Sequence, residues 1–330
     1  MRFFLLFEQF VFEIMWKERQ IYLADGGLET SLIFIYKLKL DLFASFLALG
    51  DGTGMEALRH YYKSYVAIAQ RFKFGMILET ATWRASPDWF EKLGFSLDQG
   101  SAIIHESVRL VKEIRDESIT PQFSQILIAG VVGPRGDGYK SDMDKFTFQD
   151  YQSYHTFTIN ELVKAKVDYI AAVTMTSVAE AIGIVLACRK SEIPCVVSFT
   201  LEVDGQLPSG ESLSNAIAAV DSACQSYPMH FMINCAHPNH FFHLWKQPCE
   251  EYQRIRGIRC NASKKSHQEL DECEELDSGD IEDLSRLYTE FGQNGMPLSS
   301  DQYRIIGGCC GTDARHIEHI AQSFFNHQNL

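Results

Sequence analysis

Short apolar runs alternate with longer stretches of helical period along most of the chain. The apolar runs, rich in β-branched residues, cover residues 21–27, 74–82, 125–134, 167–175, 194–201, 229–236, 255–263 and 303–311. Stretches of helical period lie between or after them, at 53–73, 149–166, 178–191, 211–226 and 313–326. Strands that are joined by helical crossovers pair in parallel. Eight such strands predict an α/β fold, the (β/α)8 TIM barrel.

A doubly wound open sheet is the alternative arrangement of parallel strands. Its first strand normally leads into a G-x-G-x-x-G turn, whereas the first run here leads into "ADGGLET". The barrel is therefore favoured. We predict a single barrel domain at 21–330, in which the acid-rich segment 264–282 is a solvated loop with a short helix.

The first twenty residues are apolar but are interrupted by Glu8 and Glu13, and no small-residue cleavage site follows them. The stretch is too short and too charged to span a membrane. We predict a peripheral N-terminal extension at 1–20, with Met15 as an alternative natural start. No other stretch approaches the length of about 18 apolar residues that a membrane span needs.

Composition narrows the class of protein further. The 30 Lys and Arg residues are outnumbered by 43 Asp and Glu residues, which gives a net charge of −13. This argues against nucleic-acid binding, which needs a basic surface. The 9 cysteines are odd in number and fall mostly in apolar runs, as is typical of reduced thiols in a cytoplasmic protein. Six of them are interpreted as buried core residues: Cys188, Cys195, Cys224, Cys249, Cys260 and Cys273.

Candidate chemistry collects where the predicted strands end, which is where such barrels place their active sites. Cys235 ends the sixth run, and Cys309 and Cys310 end the eighth within "GGCCG". Three thiolates at one barrel mouth suit zinc and leave a fourth position open, as in catalytic zinc sites. The flanking glycines would let two consecutive cysteines point inward. The residues alone leave open a metal site, a redox pair of Cys309 with Cys310, or ordinary buried thiols.

Four motifs carry a resemblance to a known family: "DGGLET" near the start, "GPRGDGY" after the third run, "INCAHP" at the sixth and "GGCCGTD" at the eighth. With these motifs the chain resembles the homocysteine S-methyltransferases, zinc-dependent barrels that include the S-methylmethionine and betaine enzymes. The resemblance runs from about residue 21 to 322. It implies that Cys235, Cys309 and Cys310 bind Zn2+.

The resemblance also implies a reaction that forms methionine from homocysteine. A methyl group moves from a cationic donor, which is S-methylmethionine, S-adenosylmethionine or betaine, to the acceptor sulfur. Thiolates are good nucleophiles and thiols are not, so the metal would serve to hold the acceptor sulfur deprotonated. The implied partners are a small thiol acceptor and a cationic methyl donor, without nucleic acid or membrane.

Roles for further residues follow from the matched motifs. Asp25 would lie by the acceptor's amino group or the donor's cation, and Gly26 and Gly27 would permit close backbone approach. Glu79 and Thr80, at the end of the second run, would bind substrate. Asn234 would support the metal ligands or cap the backbone.

Aromatic and small polar residues complete the expected site. Trp83 and Tyr139 would offer aromatic faces to the cationic donor or pack in the core. Asn261 and Ser263 match small polar positions of the family at the seventh strand.

One position departs from the family. Members carry an acid–threonine pair after the fourth strand, where this chain has Val173 and Thr174; Glu180 matches a different position. Either Glu79, Glu202 or Asp25 would then receive the acceptor's ammonium, or the acceptor is another thiol or a selenol. A zinc-binding barrel without catalytic activity is a further alternative.

Overall fold

Eight strands form the centre of the molecule. The computed structural model describes residue 16 and residues 20–139, 145–246, 249–271, 273, 275–292 and 303–328. In chain order the strands are β1 (Ile21–Leu23), β2 (Gly75–Glu79), β3 (Ile126–Val132), β4 (Tyr169–Met175), β5 (Cys195–Phe199), β6 (Phe231–Asn234), β7 (Ile255–Cys260) and β8 (Arg304–Gly308). Each lies inside one of the predicted runs, so the predicted strands are confirmed.

Each strand pairs in parallel with the next one along the chain, and β8 pairs with β1 to close the barrel. At the closure Tyr22 lies opposite Ile305 and Leu23 opposite Ile306. The predicted (β/α)8 barrel is therefore confirmed. The carboxyl ends of all eight strands point to the same mouth, which brings residues far apart in sequence together.

In the described part of the chain, seven long helices surround the barrel: α1 (Gly52–Phe72), α2 (Leu97–Ser118), α3 (Phe148–Lys164), α4 (Val178–Lys190), α5 (Leu213–Cys224), α6 (Ile281–Phe291) and α7 (Ala314–Gln328). Shorter helical segments cover Leu28–Thr30, Ser31–Ile35, Asp41–Phe43, Ser45–Gly50, Pro87–Lys92, Pro238–Phe241, Phe242–Lys246, Glu251–Arg254 and His267–Asp271. Five of the long helices match the predicted stretches. The sequence analysis did not identify α2 and α6.

Both unpredicted helices carry their own start signals. The Ser96 hydroxyl accepts a hydrogen bond from the Gln99 backbone N–H, and the Gln99 side chain accepts one from the Ser96 backbone N–H, a capping box that begins α2. Asp280 caps α6 by accepting from the backbone N–H groups of Glu282 and Asp283. Both also bury an apolar stripe at helical spacing, with Ile104, Val108 and Val111 in α2 and Leu284 and Leu287 in α6, so the sequence carried a usable signal for each.

Apolar side chains fill two layers, one between the barrel and its helices and one inside the barrel. Trp16 belongs to the inner layer, although it precedes β1. It is 3% exposed, and its ring stacks on Tyr303 with centroids 4.6 Å apart and meets His230 edge-on. Trp16 thus plugs the end of the barrel opposite the carboxyl mouth.

The structure describes only Trp16 and Gln20 of the predicted N-terminal extension; the rest of 1–20, Met15 included, lies outside the described residues. The extension and the domain boundary at residue 21 therefore stay predictions. Across the described parts of the chain, no helix combines the length and apolarity that a membrane crossing requires.

The interpretation of the six remaining cysteines as core residues needs one correction. Cys188, Cys195, Cys224 and Cys260 are buried, as expected, because they lie on barrel strands or on the inner faces of helices. Cys249 and Cys273 are only half-buried. They lie on surface connections, where the Cys249 thiol contacts Glu251 and the Cys273 thiol contacts Lys265.

Candidate active site

Cys235 follows β6 in an unusual backbone conformation. Its φ is 54°, in the left-handed region that residues with a side chain rarely adopt. Three side chains hold its carbonyl oxygen: His267 Nε2 at 2.6 Å, Asn261 Nδ2 at 3.1 Å and Thr200 Oγ1 at 3.3 Å. These hydrogen bonds offset the strain and keep the thiol directed into the barrel mouth.

Cys309 and Cys310 follow β8 and are held by backbone bonds to neighbouring strands. The Cys309 N–H donates to the Cys260 carbonyl at 2.9 Å, and the Cys310 carbonyl accepts from Ala262 at 3.0 Å. Gly311 has a φ of 80°, so glycine is needed there. Glycine is needed at position 308 for lack of space, because a Cβ there would lie 2.0 Å from Thr312 Oγ1.

The three predicted ligand cysteines meet at the barrel mouth. Their sulfur atoms all lie within 4.8 Å of one another, although 74 residues separate Cys235 from Cys309. The sulfurs of Cys235 and Cys309 are in direct contact, as in a disulfide, and the Cys310 sulfur takes no part in that contact. The cluster could hold a metal ion, and its thiol-only donor set is the one that zinc prefers.

An aromatic pair borders this thiol cluster. The Tyr139 hydroxyl lies 3.4 Å from Cys310 Sγ, and its ring stacks on His267 with centroids 4.1 Å apart. His267 in turn bonds Glu202 at 3.1 Å as well as the Cys235 carbonyl. The prediction that 264–282 is a solvated loop is wrong at this point: His267 is 3% exposed, because it lies beneath Tyr139 and against β6.

Asn234 uses both atoms of its amide on the neighbouring strand. Its Oδ1 accepts from the Thr174 N–H at 2.9 Å and its Nδ2 donates to Thr174 Oγ1 at 2.9 Å. Nδ2 also lies 4.0 Å from Cys309 Sγ. Thr174 itself has a φ of 59°, and its hydroxyl lies 3.9 Å from Cys235 Sγ. The amide thus fixes β4 against β6 directly below the sulfurs.

A buried ionic cluster lies across the same mouth. Arg259, from β7, forms ion pairs with Asp25 after β1 and with Glu79 at the end of β2. It also donates to the Gly308 carbonyl at 3.2 Å. One guanidinium faces two carboxyl groups, so the cluster carries a surplus of one negative charge when both carboxyl groups are ionised. We refer to Asp25, Arg259 and Glu79 as the ionic triad.

Burial changes the acidity of the triad. It raises the pKa of Asp25 from 3.8 to about 7; the Arg259 guanidinium opposes this shift and the Glu79 charge adds to it. Burial acts to lower the pKa of Arg259, but attraction to Glu79 and Asp25 outweighs it, so the pKa of Arg259 is raised. The guanidinium is therefore firmly protonated, whereas Asp25 can exchange a proton near neutral pH.

The thiol cluster and the ionic triad line one cavity of about 470 Å³. Nine residues predicted as metal ligands or substrate contacts lie on its wall: Asp25, Gly26, Gly27, Glu79, Thr80, Asn234, Cys235, Cys309 and Cys310. Trp83, Tyr139 and Val173 line it as well. A Cβ on Gly27 would come within 2.6 Å of the Cys309 carbonyl, which agrees with the predicted close approach.

Other predicted residues lie behind the cavity wall. Glu202 bonds His267 and Asn261 bonds the Cys235 carbonyl, so both support the site from outside. Ser263 pairs with Asp277 at 2.8 Å. Glu180 is buried against His155 at 2.7 Å.

Three residues of the site were not identified from the sequence: Arg84, Arg259 and His267. Arg259 ends a strand run, so its position at the mouth was a usable signal. The contacts of Arg84 and His267 depend on how loops fold over the mouth, and no sequence pattern indicated them.

Comparisons with known proteins agree with this geometry. A family model described as homocysteine S-methyltransferase matches residues 22–324. Homocysteine S-methyltransferase 1 of Arabidopsis thaliana is 24% identical over 274 residues, covering 74% of this chain and 78% of the relative. Selenocysteine Se-methyltransferase of Brassica oleracea var. italica is 23% identical over 273 residues, covering 77% of this chain and 76% of the relative.

A solved structure gives the same result for the fold. The metallated form of the homocysteine methyltransferase MmuM from Escherichia coli superposes with a TM-score of 0.70 at 21% identity, over 93% of this chain and 96% of that chain. The barrel and its helices are thus shared with that enzyme.

Proposed function

The chain belongs to the homocysteine S-methyltransferase family and is a methyltransferase, and from this premise we propose that it methylates the thiol of homocysteine to form methionine. The methyl donor is a small cation, of which S-methylmethionine, S-adenosylmethionine and betaine are the candidates. The observation that carries the proposal is the convergence of Cys235, Cys309 and Cys310 within 4.8 Å at the wall of a cavity large enough for small substrates.

We propose that these three thiolates hold Zn2+. The donor set supports this, because three sulfurs leave a fourth position for a substrate. When bound, zinc supplies Lewis acidity that lowers the pKa of a thiol beside it.

The protein's own residues then position the reactants. The ionic triad, with one surplus negative charge, receives the ammonium group of the acceptor. Asn234 and the hydrogen bonds to the Cys235 carbonyl keep the sulfurs in place. The acceptor thiolate attacks the methyl carbon in line. The new S–C bond forms as the bond from methyl to donor breaks, and the electron pair of the broken bond leaves the donor's sulfur or nitrogen uncharged. The protein contributes position and charge rather than a nucleophile.

A second acceptor is favoured by one specific observation. Val173 presents an apolar side chain to the cavity, so fewer charges surround the acceptor than an acid there would provide. Selenocysteine, a shorter amino acid with a more acidic nucleophile, is the alternative acceptor. A relative that bears the name selenocysteine Se-methyltransferase supports it.

The test is methionine formation by the zinc-loaded protein from homocysteine and each of the three donors in parallel. Selenocysteine is offered with the donor that works best. The Cys309→Ser variant should lose both product and zinc. Cys249→Ser is the matched control, since Cys249 lies outside the thiol cluster and should leave both unchanged. Full activity in Cys309→Ser would refute the proposed site, and a zinc-loaded protein without product from any pair would refute the proposed reaction.

A further inference from the structure

A second arginine lines the cavity and lacks the partners that Arg259 has. Arg84 lies between β2 and the short helix Pro87–Lys92, and it is 8% exposed. Its guanidinium carbon lies 4.1 Å from the Trp83 ring centroid and 3.7 Å from that of Trp89. Two indole rings therefore hold the cation in one position, and cation–π attraction favours its charged form there.

Among the described residues, no carboxylate forms an ion pair with the positively charged Arg84. Its NH1 donates to the Gly136 carbonyl at 2.8 Å, but Nε, which is buried, has no acceptor among the described residues. Asp137 and Glu29 attract the guanidinium without forming an ion pair with it. Burial outweighs their attraction and lowers the pKa of Arg84 to about 10. The side chain thus remains protonated at neutral pH and only partly neutralised.

Two other arginines have the carboxylate partner that Arg84 lacks among the described residues. Arg259 faces two carboxylates in the same cavity. Arg135 also stacks on two aromatic rings, those of Phe146 and Tyr154, but it pairs with Asp88 at 2.8 Å. A buried charge without a counter-ion is unfavourable, and a ligand that brings an anion relieves this cost.

We propose that Arg84 binds a substrate carboxylate in this cavity. The planar guanidinium can hold both oxygens of a carboxylate, which fixes the orientation of the ligand as well as its charge. The ionic triad on the same wall offers the opposite charge. A cavity with one anionic and one cationic receptor is complementary to a zwitterionic amino acid.

This inference rests on the proposed function for the identity of the ligands. Homocysteine carries a carboxylate, and so do the candidate donors. The geometry identifies a carboxylate as the group that Arg84 binds, and the kinetic experiment identifies which substrate carries that carboxylate.

The experiment compares the zinc-loaded wild-type protein with Arg84→Met, using homocysteine and S-methylmethionine as substrates. A third probe, 3-aminopropane-1-thiol, is homocysteine without its carboxylate. Loss of a charge-assisted carboxylate contact should raise the KM of the substrate concerned roughly 10- to 100-fold. If the acceptor binds Arg84, the KM of homocysteine rises while that of aminopropanethiol changes less than about twofold. If the donor binds Arg84, the KM of S-methylmethionine rises instead.

Controls separate recognition from folding. Arg84→Lys keeps the charge and should restore part of the lost affinity. Arg135→Met removes an arginine of similar packing outside the cavity and should leave both KM values unchanged. Zinc content and the midpoint of urea unfolding are measured for all variants. Unchanged KM values in Arg84→Met, or an equal rise for homocysteine and aminopropanethiol, would overturn the inference.

Calorimetric binding of homocysteine and S-methylmethionine to wild type and Arg84→Met distinguishes this inference from the proposed reaction. A wild-type protein that forms no methionine, yet binds one of these ligands more tightly than Arg84→Met, supports the carboxylate receptor without the reaction. Equal binding by both proteins, or no binding to the wild type, overturns the carboxylate receptor.

Discussion

Arg259→Met should be the most informative perturbation of the ionic triad. The side chains of Arg259, Asp25 and Glu79 are 9%, 3% and 14% exposed, so little water screens their charges. The substitution leaves two buried carboxylates without their shared cation. Breaking a buried ion pair by removing one partner costs about 3–5 kcal/mol, and we expect a loss of that size in the free energy of unfolding.

The assay is urea unfolding of the metal-free protein near pH 7, comparing midpoints at equal slope. A matched variant, Asp25→Asn/Glu79→Gln/Arg259→Met, removes all three charges with little change in volume. It should be more stable than Arg259→Met alone, because no buried charge is left uncompensated. The deficit of Arg259→Met should also shrink as the pH falls from above about 7 towards about 4, because burial raises the pKa of Asp25 and the variant lacks the guanidinium that opposes this shift.

Two results would refute this reasoning. A loss of less than about 1 kcal/mol in Arg259→Met would mean that the triad behaves like an exposed ion pair. A triple variant as unstable as the single variant would mean that lost packing and the lost hydrogen bond to Gly308, rather than unpaired charge, cause the effect.

Three further predictions concern other parts of the chain. Trp16→Ala should lower the free energy of unfolding by about 3–5 kcal/mol, because it empties the barrel end where Trp16 stacks on Tyr303. A loss of less than a third of that free energy, measured by urea unfolding, would contradict the packing role of Trp16. Burial raises the pKa of Asp25, so between about pH 4 and about pH 7 the folded state keeps a proton that the unfolded state releases. As the pH rises through this range, the wild type should therefore lose stability relative to Asp25→Asn, by at most about 1.4 kcal/mol per pH unit. A pH-independent difference in unfolding midpoints would rule this out. His267→Ala should weaken Zn2+ binding roughly tenfold, because the Cys235 carbonyl loses its 2.6 Å hydrogen bond. Competition with a chromogenic chelator measures the affinity. Equal affinity in variant and wild type would show that the hydrogen bonds from Asn261 and Thr200 suffice.

The sequence predicted the architecture because apolar periodicity and strand order carry that information locally. Runs such as 74–82 and 125–134 are too short and too β-branched for helices, and helical crossovers allow only parallel pairing. Parallel pairing places every carboxyl strand end at one mouth. The convergence of Cys235 with Cys309 and Cys310 could therefore be predicted before any distance was measured. The helix α2 was missed although Ile104, Val108 and Val111 recur at helical spacing, so its local signal was present.

Only the tertiary structure decided which polar groups meet at the mouth. Arg259 reaches Asp25 and Glu79 because closure of the barrel brings β7 beside β8 and β1. His267 reaches Cys235 because the segment after β7 folds back over the strand ends. Pairing between charges depends on distances set by barrel closure and loop packing, and residue order does not encode these distances locally. The sequence by itself thus determined the barrel and its thiols. The tertiary structure determined where the ionic triad and Arg84, the two charged groups that would hold a substrate, lie beside those thiols.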